Sequence, residues 1–352
     1  MDISFWKGKR VFLTGHTGFK GSWLSRILTN ACTELTGYSL DPPTNPNLFS
    51  ICGVRKMASI IGDIRDKKKL FDCFREANPE IVIHMAAQPL VLESYLEPAY
   101  TYEVNAMGTV NMLECIRLHS SVKSFLNITT DKVYHNKEWE LAYRESDPLN
   151  GYDPYSNSKS CSELITHSYK NSFFSNDKTA ISTARAGNVL GGGDFACDRI
   201  IPDCIRAVEK GEPVIVRNPH SIRPYQHVLE PLFAYLMIAQ KQYGDAKFQG
   251  YYNVGPDVSD CVTTGTLVDM FCKAWGDSLI TWENRHDGGP YEANYLKLDC
   301  TKLKSVFGWR PRWDVKKAIL KTVEWTKVYL DGGNIEDVMD KQIESFMESG
   351  VF

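Results

Sequence analysis

Residues 10–14, RVFLT, form a short apolar run that leads directly into Thr14–Gly21, TGHTGFKG, with glycines at 15, 18 and 21. Residues 22–31 follow with apolar positions at helical spacing. A strand that turns sharply into a helix needs a residue free to adopt positive φ. A backbone that approaches a pyrophosphate closely has no room for a Cβ, and a helix packed tightly on its strand needs a third small residue. The helix N-terminus then offers free N–H groups and the positive end of its dipole to phosphate. The same glycines would also serve an ordinary turn. Their place between the first strand and the first helix is what makes them a dinucleotide-binding signature.

The rest of the chain continues in kind. Residues 34–40, 80–85, 122–129 and 179–184 read as strands, and 67–77, 98–119 and 155–174 as helices. Strands alternating with helices predict an α/β fold, a Rossmann-type doubly wound parallel sheet covered on both faces. After about residue 187 glycine and proline become frequent, as in GNVLGGGDF and RNPHSIRPYQH. We therefore expect an NAD-binding domain over 1–187 and a smaller, mixed, mainly substrate-binding domain over 188–352. Residues 226–242 look helical and 250–254 look like a strand, so parts of 226–255 are expected to rejoin the sheet.

Composition removes several classes of function. The formal net charge is -3 with basic residues dispersed, which offers no general field for nucleic acid or an acidic membrane. Ten cysteines are scattered without a C-x-x-C pair, so neither a metal nor a redox motif is expected. No apolar run reaches the roughly 20 residues that span a bilayer. Reduced thiols and a cytoplasmic location are the expectation.

The candidate chemistry lies at two places. Tyr155 and Lys159, in YDPYSNSKS, are four apart and share a helix face. A phenol with a reference pKa near 10 is a poor base at neutral pH, and a nearby ammonium stabilises its phenolate. The strand before them ends Thr129-Thr130-Asp131-Lys132, which places Thr130 beside Tyr155 and an acid and an amine next to a reacting group. For a ribose hydroxyl, Ser39 and Asp41 end the second strand, with Asp41 near the expected spacing of about 20 from the glycine loop. No arginine lies nearby for a 2′-phosphate, so NAD is expected over NADP. Asp63, in GDIRD, suits either an adenine edge or a simple helix cap.

These residues resemble a known family. TGHTGFKGSWLS, GYSLDPPT, HMAAQPLVLESY, TTDKVYHNKEW, GYDPYSNSKSCSEL, ARAGNVLGGGDFACDRIIPD and RNPHSIRPYQHVLEP are similar to the CDP-glucose 4,6-dehydratases, a branch of the extended short-chain dehydrogenase/reductases, from about residue 5 to about 315. Sister dehydratases usually carry Asp-Glu where this chain has Asp131-Lys132. The chain departs from the branch at Val133-Tyr134-His135-Asn136, Leu141-Ala142-Tyr143, Asn150-Gly151-Tyr152 and Tyr225-Gln226-His227. The resemblance implies a CDP-linked hexose substrate, oxidation at C4, loss of water across C5–C6 and return of the hydride to C6. In that scheme Tyr155 takes the C4 hydroxyl proton and Asp131 protonates the departing C6 hydroxyl. Lys132 either takes the C5 proton or stays charged and stabilises an enolate.

On this reading Thr130, Asp131, Lys132, Tyr155 and Lys159 are catalytic. The candidate cofactor residues are Gly15, Thr17, Gly18, Phe19, Lys20, Gly21, Ser39, Asp41, Asp63, Ile64, Ala86, Ala87, Gln88, Asn105, Thr129, Tyr155 and Lys159. The substrate candidates are Gln88, Asn188, Arg199, Arg217, Arg223 and Tyr291; the resemblance, not spacing, favours Arg223 among the arginines. The apolar excess of the two long helices, 98–119 and 155–174, predicts a homodimer, with a homotetramer as the larger possibility. A 4-epimerase needs the Tyr155 chemistry but no acid for C6, and a non-catalytic NAD-binding protein needs neither.

Overall fold

The structure is a computed structural model that describes residues 2–174, 178–276, 280–285 and 294–350. Seven parallel strands form the main sheet: β1 (Arg10–Thr14), β2 (Glu34–Ser39), β3 (Ala58–Ile61), β4 (Ile81–His84), β5 (Ser124–Ile128), β6 (Ala180–Ala186) and β7 (Tyr251–Val254). Their order is β3-β2-β1-β4-β5-β6-β7. Strands β4, β5 and β6 are buried along their whole length, as expected where both faces of a parallel sheet are covered. The order reverses between β1 and β4. That switch point opens a crevice at the carboxyl ends of the strands, where such sheets bind ligands.

The principal helices are α1 (Phe19–Asn30), α2 (Lys67–Ala77), α3 (Pro98–Tyr102), α4 (Gly108–Leu118), α5 (Pro154–Phe173), α6 (Ile200–Lys210), α7 (Leu229–Gly244), α8 (Thr264–Trp275), α9 (Val315–Leu330) and α10 (Ile335–Glu348). One apolar cluster joins α1, α7 and α10 to one sheet face, through Trp23, Ile27, Leu126, Leu232 and Met339. A second covers the other face through Phe12, Phe74, Val82, Leu113 and Phe125. A third, separate cluster joins α6, α8 and α9 through Ile201, Leu267, Phe271 and Ile319, with the short strand Val214–Val216. Residues 251–254 return to the main sheet beside β6, and α7 packs on β5. Among the described residues no helix is long and apolar enough to cross a membrane.

The expected helix over 98–119 runs without a gap from Pro98 to Leu118, but it is not regular throughout. A π-helical turn, Glu103–Met107, separates α3 from α4. The extra residue of a π turn redirects one side chain, and here Asn105 is buried in it. Asn105 Oδ1 accepts from the Gln88 backbone N–H (2.9 Å), and its Nδ2 donates to the Gln88 carbonyl (3.0 Å) and to Ser158 Oγ (2.9 Å). Packing across to the loop after β4 and to α5 outweighs regular helix geometry at this point.

Candidate active site

The glycine loop shows why each glycine is needed. Gly15 sits at φ +78, and a Cβ there would lie 2.8 Å from the Ala86 backbone nitrogen, at the end of β4. A Cβ on Gly21 would lie 2.0 Å from the Gly15 carbonyl oxygen and 2.7 Å from His16 Cα. The third glycine thus packs the helix on the loop itself rather than on the strand. Gly18 is different: its Cβ would meet only the Gly15 oxygen, at 3.5 Å. Gly18 is the N-cap of α1 and makes no side-chain cap, so the first N–H groups of the helix face outward beside an open position. The cradle fits a dinucleotide pyrophosphate. The turn is braced to β2 by Thr17, whose hydroxyl bonds Ser39 Oγ and donates to the Leu40 carbonyl, both at 2.8 Å. Thr14 Oγ1 accepts from the N–H groups of Met85 and Ala86, which holds the Ala86–Ala87 segment against the loop.

Tyr155 is placed by a capped helix start. Asp153 accepts a hydrogen bond from the Ser156 N–H, and Pro154 occupies the first turn of α5. Tyr155 and, one turn on, Lys159 then face the end of β5. Burial pushes the Tyr155 phenol up to about 12, and the Asp131 charge adds to this; a hydrogen bond with Thr130 and the Arg199 charge pull the other way. Lys159 is buried and donates to the Ile128 carbonyl at 3.1 Å. Burial, with help from Lys20, brings its ammonium down to about 8, while Glu163 holds it up. Lys20 is brought down to about 8 by burial and by Arg199, against the charge of Asp131. The loop lysine therefore belongs to the same cluster as the catalytic candidates.

Asp131 is fully buried. Its Oδ1 accepts from Thr130 Oγ1 (3.0 Å) and Lys132 Nζ (3.2 Å), while Oδ2 has no hydrogen-bond partner among the described residues. Lys132 Nζ also donates to Asn188 Oδ1 at 3.3 Å, so Asn188 serves the lysine here. Arg199, at the N-cap of α6, pairs with Asp194 at 2.9 Å and is close enough to Tyr155 and Lys20 to bias both. The geometry thus brings together Thr130, Asp131, Lys132, Tyr155, Lys159, Lys20, Asn188 and Arg199.

Other candidates are directed elsewhere. Gln88 spends its amide on the Leu90 carbonyl and Thr101 Oγ1. Thr129 donates to Glu163 inside the protein. The Asp63 carboxylate is held by Arg65 at 2.7 Å, Ile64 is buried with its carbonyl on Asn111, and Asp41 is exposed. Phe19 packs beside Gly191. Arg217 pairs with Asp198 at 3.3 Å, and buried Arg223 donates to the Ile222 carbonyl. Tyr291 lies outside the described residues. Two residues not singled out from the sequence stand behind the site: Glu163, which continues the 155/159 spacing by four, and Arg185, a charge in the apolar strand TARAG.

Comparison with known proteins agrees with this geometry. The chain is 48% identical to CDP-glucose 4,6-dehydratase of Salmonella typhimurium, covering 99% of each chain. It is 28% identical to a probable dTDP-glucose 4,6-dehydratase of Sinorhizobium fredii, over 92% of this chain and 93% of that one. In fold it is similar to dTDP-glucose 4,6-dehydratase of Bacillus anthracis in complex with NAD (TM-score 0.76, 19% identity, 92% of this chain and 98% of that chain). It is equally similar to UDP-glucose 4-epimerase of Thermotoga maritima with UDP-glucose (TM-score 0.77, 21% identity, 91% and 99%). Residues 12–322 match the family described as GDP-mannose 4,6 dehydratase, and the chain belongs to that family of nucleotide-sugar dehydratases.

Proposed function

We propose that the protein is an NAD-dependent CDP-glucose 4,6-dehydratase, forming CDP-4-keto-6-deoxyglucose and water. The observation that carries this reading is the buried Asp131, flanked by Lys132, within interaction range of the Thr130–Tyr155 pair. An acid and an amine placed beside an oxidation site are what elimination requires and what epimerisation does not. The identity to the Salmonella enzyme over the full chain supports the same substrate.

The glycine cradle and the α1 N-terminus would hold the dinucleotide, and Ser39 or Asp41 the ribose. NAD bound there supplies the hydride acceptor for C4, restored when the hydride returns to C6. Tyr155 takes the C4 hydroxyl proton; a nicotinamide cation and Lys159 lower the pKa that burial raises in the cofactor-free protein. Asp131 gives a proton to the departing C6 hydroxyl, which leaves as water. Lys132 takes the C5 proton, and after reduction gives C5 a proton from its ammonium, which exchanges with solvent. Tyr155 ends a turnover one proton up and Asp131 one proton down, so the net count is unchanged, and one proton passed from Tyr155 to Asp131, with Thr130 between them, resets both. Arg199 is the cation for the diphosphate, within a substrate part spanning mainly 188–352. Exposed Met107 and Leu164, with partly buried Val110 and Ile165, form an apolar stripe on α4, α5 and the π turn that a second copy would cover. Ten unbridged cysteines suit a cytoplasmic setting.

The test is incubation with CDP-, dTDP-, UDP- and GDP-linked hexoses, followed by mass spectrometry. Loss of water from CDP-glucose is expected. An isomer of unchanged mass, or no turnover with CDP-glucose, overturns the proposal.

A further inference from the structure

We infer that Glu163 and Arg185 are positioning residues that hold the oxidation and elimination halves of the site in register; this rests on the dehydratase reading above. Tyr155, Lys159 and Glu163 are spaced by four along α5 and share one face. Three consecutive residues at the end of β5 receive them. Thr130 lies near enough to the Tyr155 phenol to favour its charged form, the Ile128 carbonyl accepts from Lys159, and Thr129 Oγ1 donates to Glu163 Oε1 at 2.5 Å. Glu163 Oε2 accepts from Thr183 Oγ1 (2.8 Å) and Arg185 Nη2 (2.9 Å) on β6. The far side of the guanidinium donates from Nη1 to Tyr134 Oη at 2.9 Å and to the Glu145 carbonyl at 3.2 Å. Tyr134 lies two residues beyond Lys132 and donates to Asn253 Oδ1 on β7. One buried pair, with side chains 1% and 3% exposed, therefore ties the Tyr155–Lys159 helix to the turn that carries Asp131 and Lys132.

A buried ion pair is weak as a stabiliser, because desolvation offsets most of the attraction and a well-packed apolar pair often does as well. An apolar pair cannot fix Thr129, Thr183 and Tyr134 at once. The pair also bears on Lys159. The charged and titratable groups facing that ammonium are Lys20 from α1, His84 from β4, Tyr155 and Glu163 from α5, with Arg185 behind Glu163. Neutralising Glu163 removes the group that favours the ammonium and unmasks a cation, and both changes act in the same direction.

The test compares Glu163→Gln, the double variant Glu163→Gln with Arg185→Met, and Thr129→Val, which removes a single bond to the carboxylate. Melting temperature, KM, kcat and the rate of enzyme-bound NADH formation are measured with CDP-glucose and with UDP-glucose. Glu163→Gln should lose stability, and the double variant should recover it. In both, kcat should stay about 10–100-fold below wild type, the scale of a misplaced reacting group, with KM little changed. The alkaline limb of kcat should move to lower pH in Glu163→Gln. Thr129→Val should lower kcat several-fold at a smaller cost in stability than Glu163→Gln, since it takes one donor from the carboxylate and leaves the ion pair intact, and it decides the matter if the other variants do not fold. Recovery of kcat together with melting temperature in the double variant, or wild-type kcat in Thr129→Val, overturns the inference. If wild-type protein builds up NADH but releases no dehydrated product, the dehydratase reading falls, while the NADH-formation rates still judge Glu163 and Arg185.

Discussion

Substituting alanine at Gly18 and at Gly21 should separate binding from folding within one loop. At Gly21 the new methyl would lie 2.0 Å from the Gly15 carbonyl oxygen and 2.7 Å from His16 Cα, and both are backbone atoms that cannot swing aside. The loop must open, at the cost of about 1–3 kcal/mol usual for overpacking. For a chain of 352 residues the unfolding entropy scales so that each kcal/mol moves the melting temperature by roughly 1–2 °C. Gly21→Ala should therefore melt about 1–6 °C lower and also bind NAD poorly. At Gly18 the methyl meets nothing closer than 3.5 Å. The melting temperature of cofactor-free Gly18→Ala should stay within about 2 °C of wild type, since alanine is only a poorer N-cap. Its methyl occupies the open position at the helix N-terminus, so NAD affinity should fall by at least about tenfold, or 1.4 kcal/mol. The assay is thermal denaturation with and without NAD, paired with calorimetric titration. Wild-type NAD affinity in Gly18→Ala, or a larger loss of stability there than in Gly21→Ala, would refute the argument.

Three further outcomes follow from the same structure. Lys132→Ala should form enzyme-bound NADH yet lose dehydration by about 10²–10⁴-fold, whereas Lys132→Glu should retain some turnover; solvent deuterium incorporation at C5 reads this directly, and wild-type exchange in the alanine variant would remove Lys132 as the base. Burial raises the Glu230 carboxyl from 4.5 to about 7, against hydrogen bonds from the N–H groups of Trp313 and Arg312. The folded state thus holds a proton that the unfolded state has released, so this group's contribution is full below about pH 4.5 and is lost as pH rises through 7, up to about 3 kcal/mol. Denaturant titrations of wild type and Glu230→Gln between pH 5 and 8 should show the flatter profile in the variant; parallel profiles would count against the assignment. Leu164→Arg places a charge on the exposed apolar stripe and should give a monomer by light scattering without lowering the melting temperature of the subunit, unless that face is not the interface.

The glycine loop, the Tyr155–Lys159 pair and the Thr130-Asp131-Lys132 strand end are all legible in the sequence, because each is local. Positive φ, helix periodicity and strand termination act over a few residues, and their positions in the chain place them at one edge of a parallel sheet. The partners across that edge are not local. Lys132 meets Asn188 across 56 residues and Glu163 meets Arg185 across 22. Which side chains come within hydrogen-bond distance depends on how β5, β6 and α5 pack, and no spacing encodes that. The same limit hid the π turn: 98–119 has helix periodicity, yet the demand of Asn105 for the Gln88 backbone and Ser158 inserts a residue. It also explains Gln88 and Thr129, whose residue types suit a ligand but whose polar atoms are claimed by Thr101 and Glu163 once those helices dock. Periodicity tells a residue which way to face; only the packed neighbours decide what it finds there.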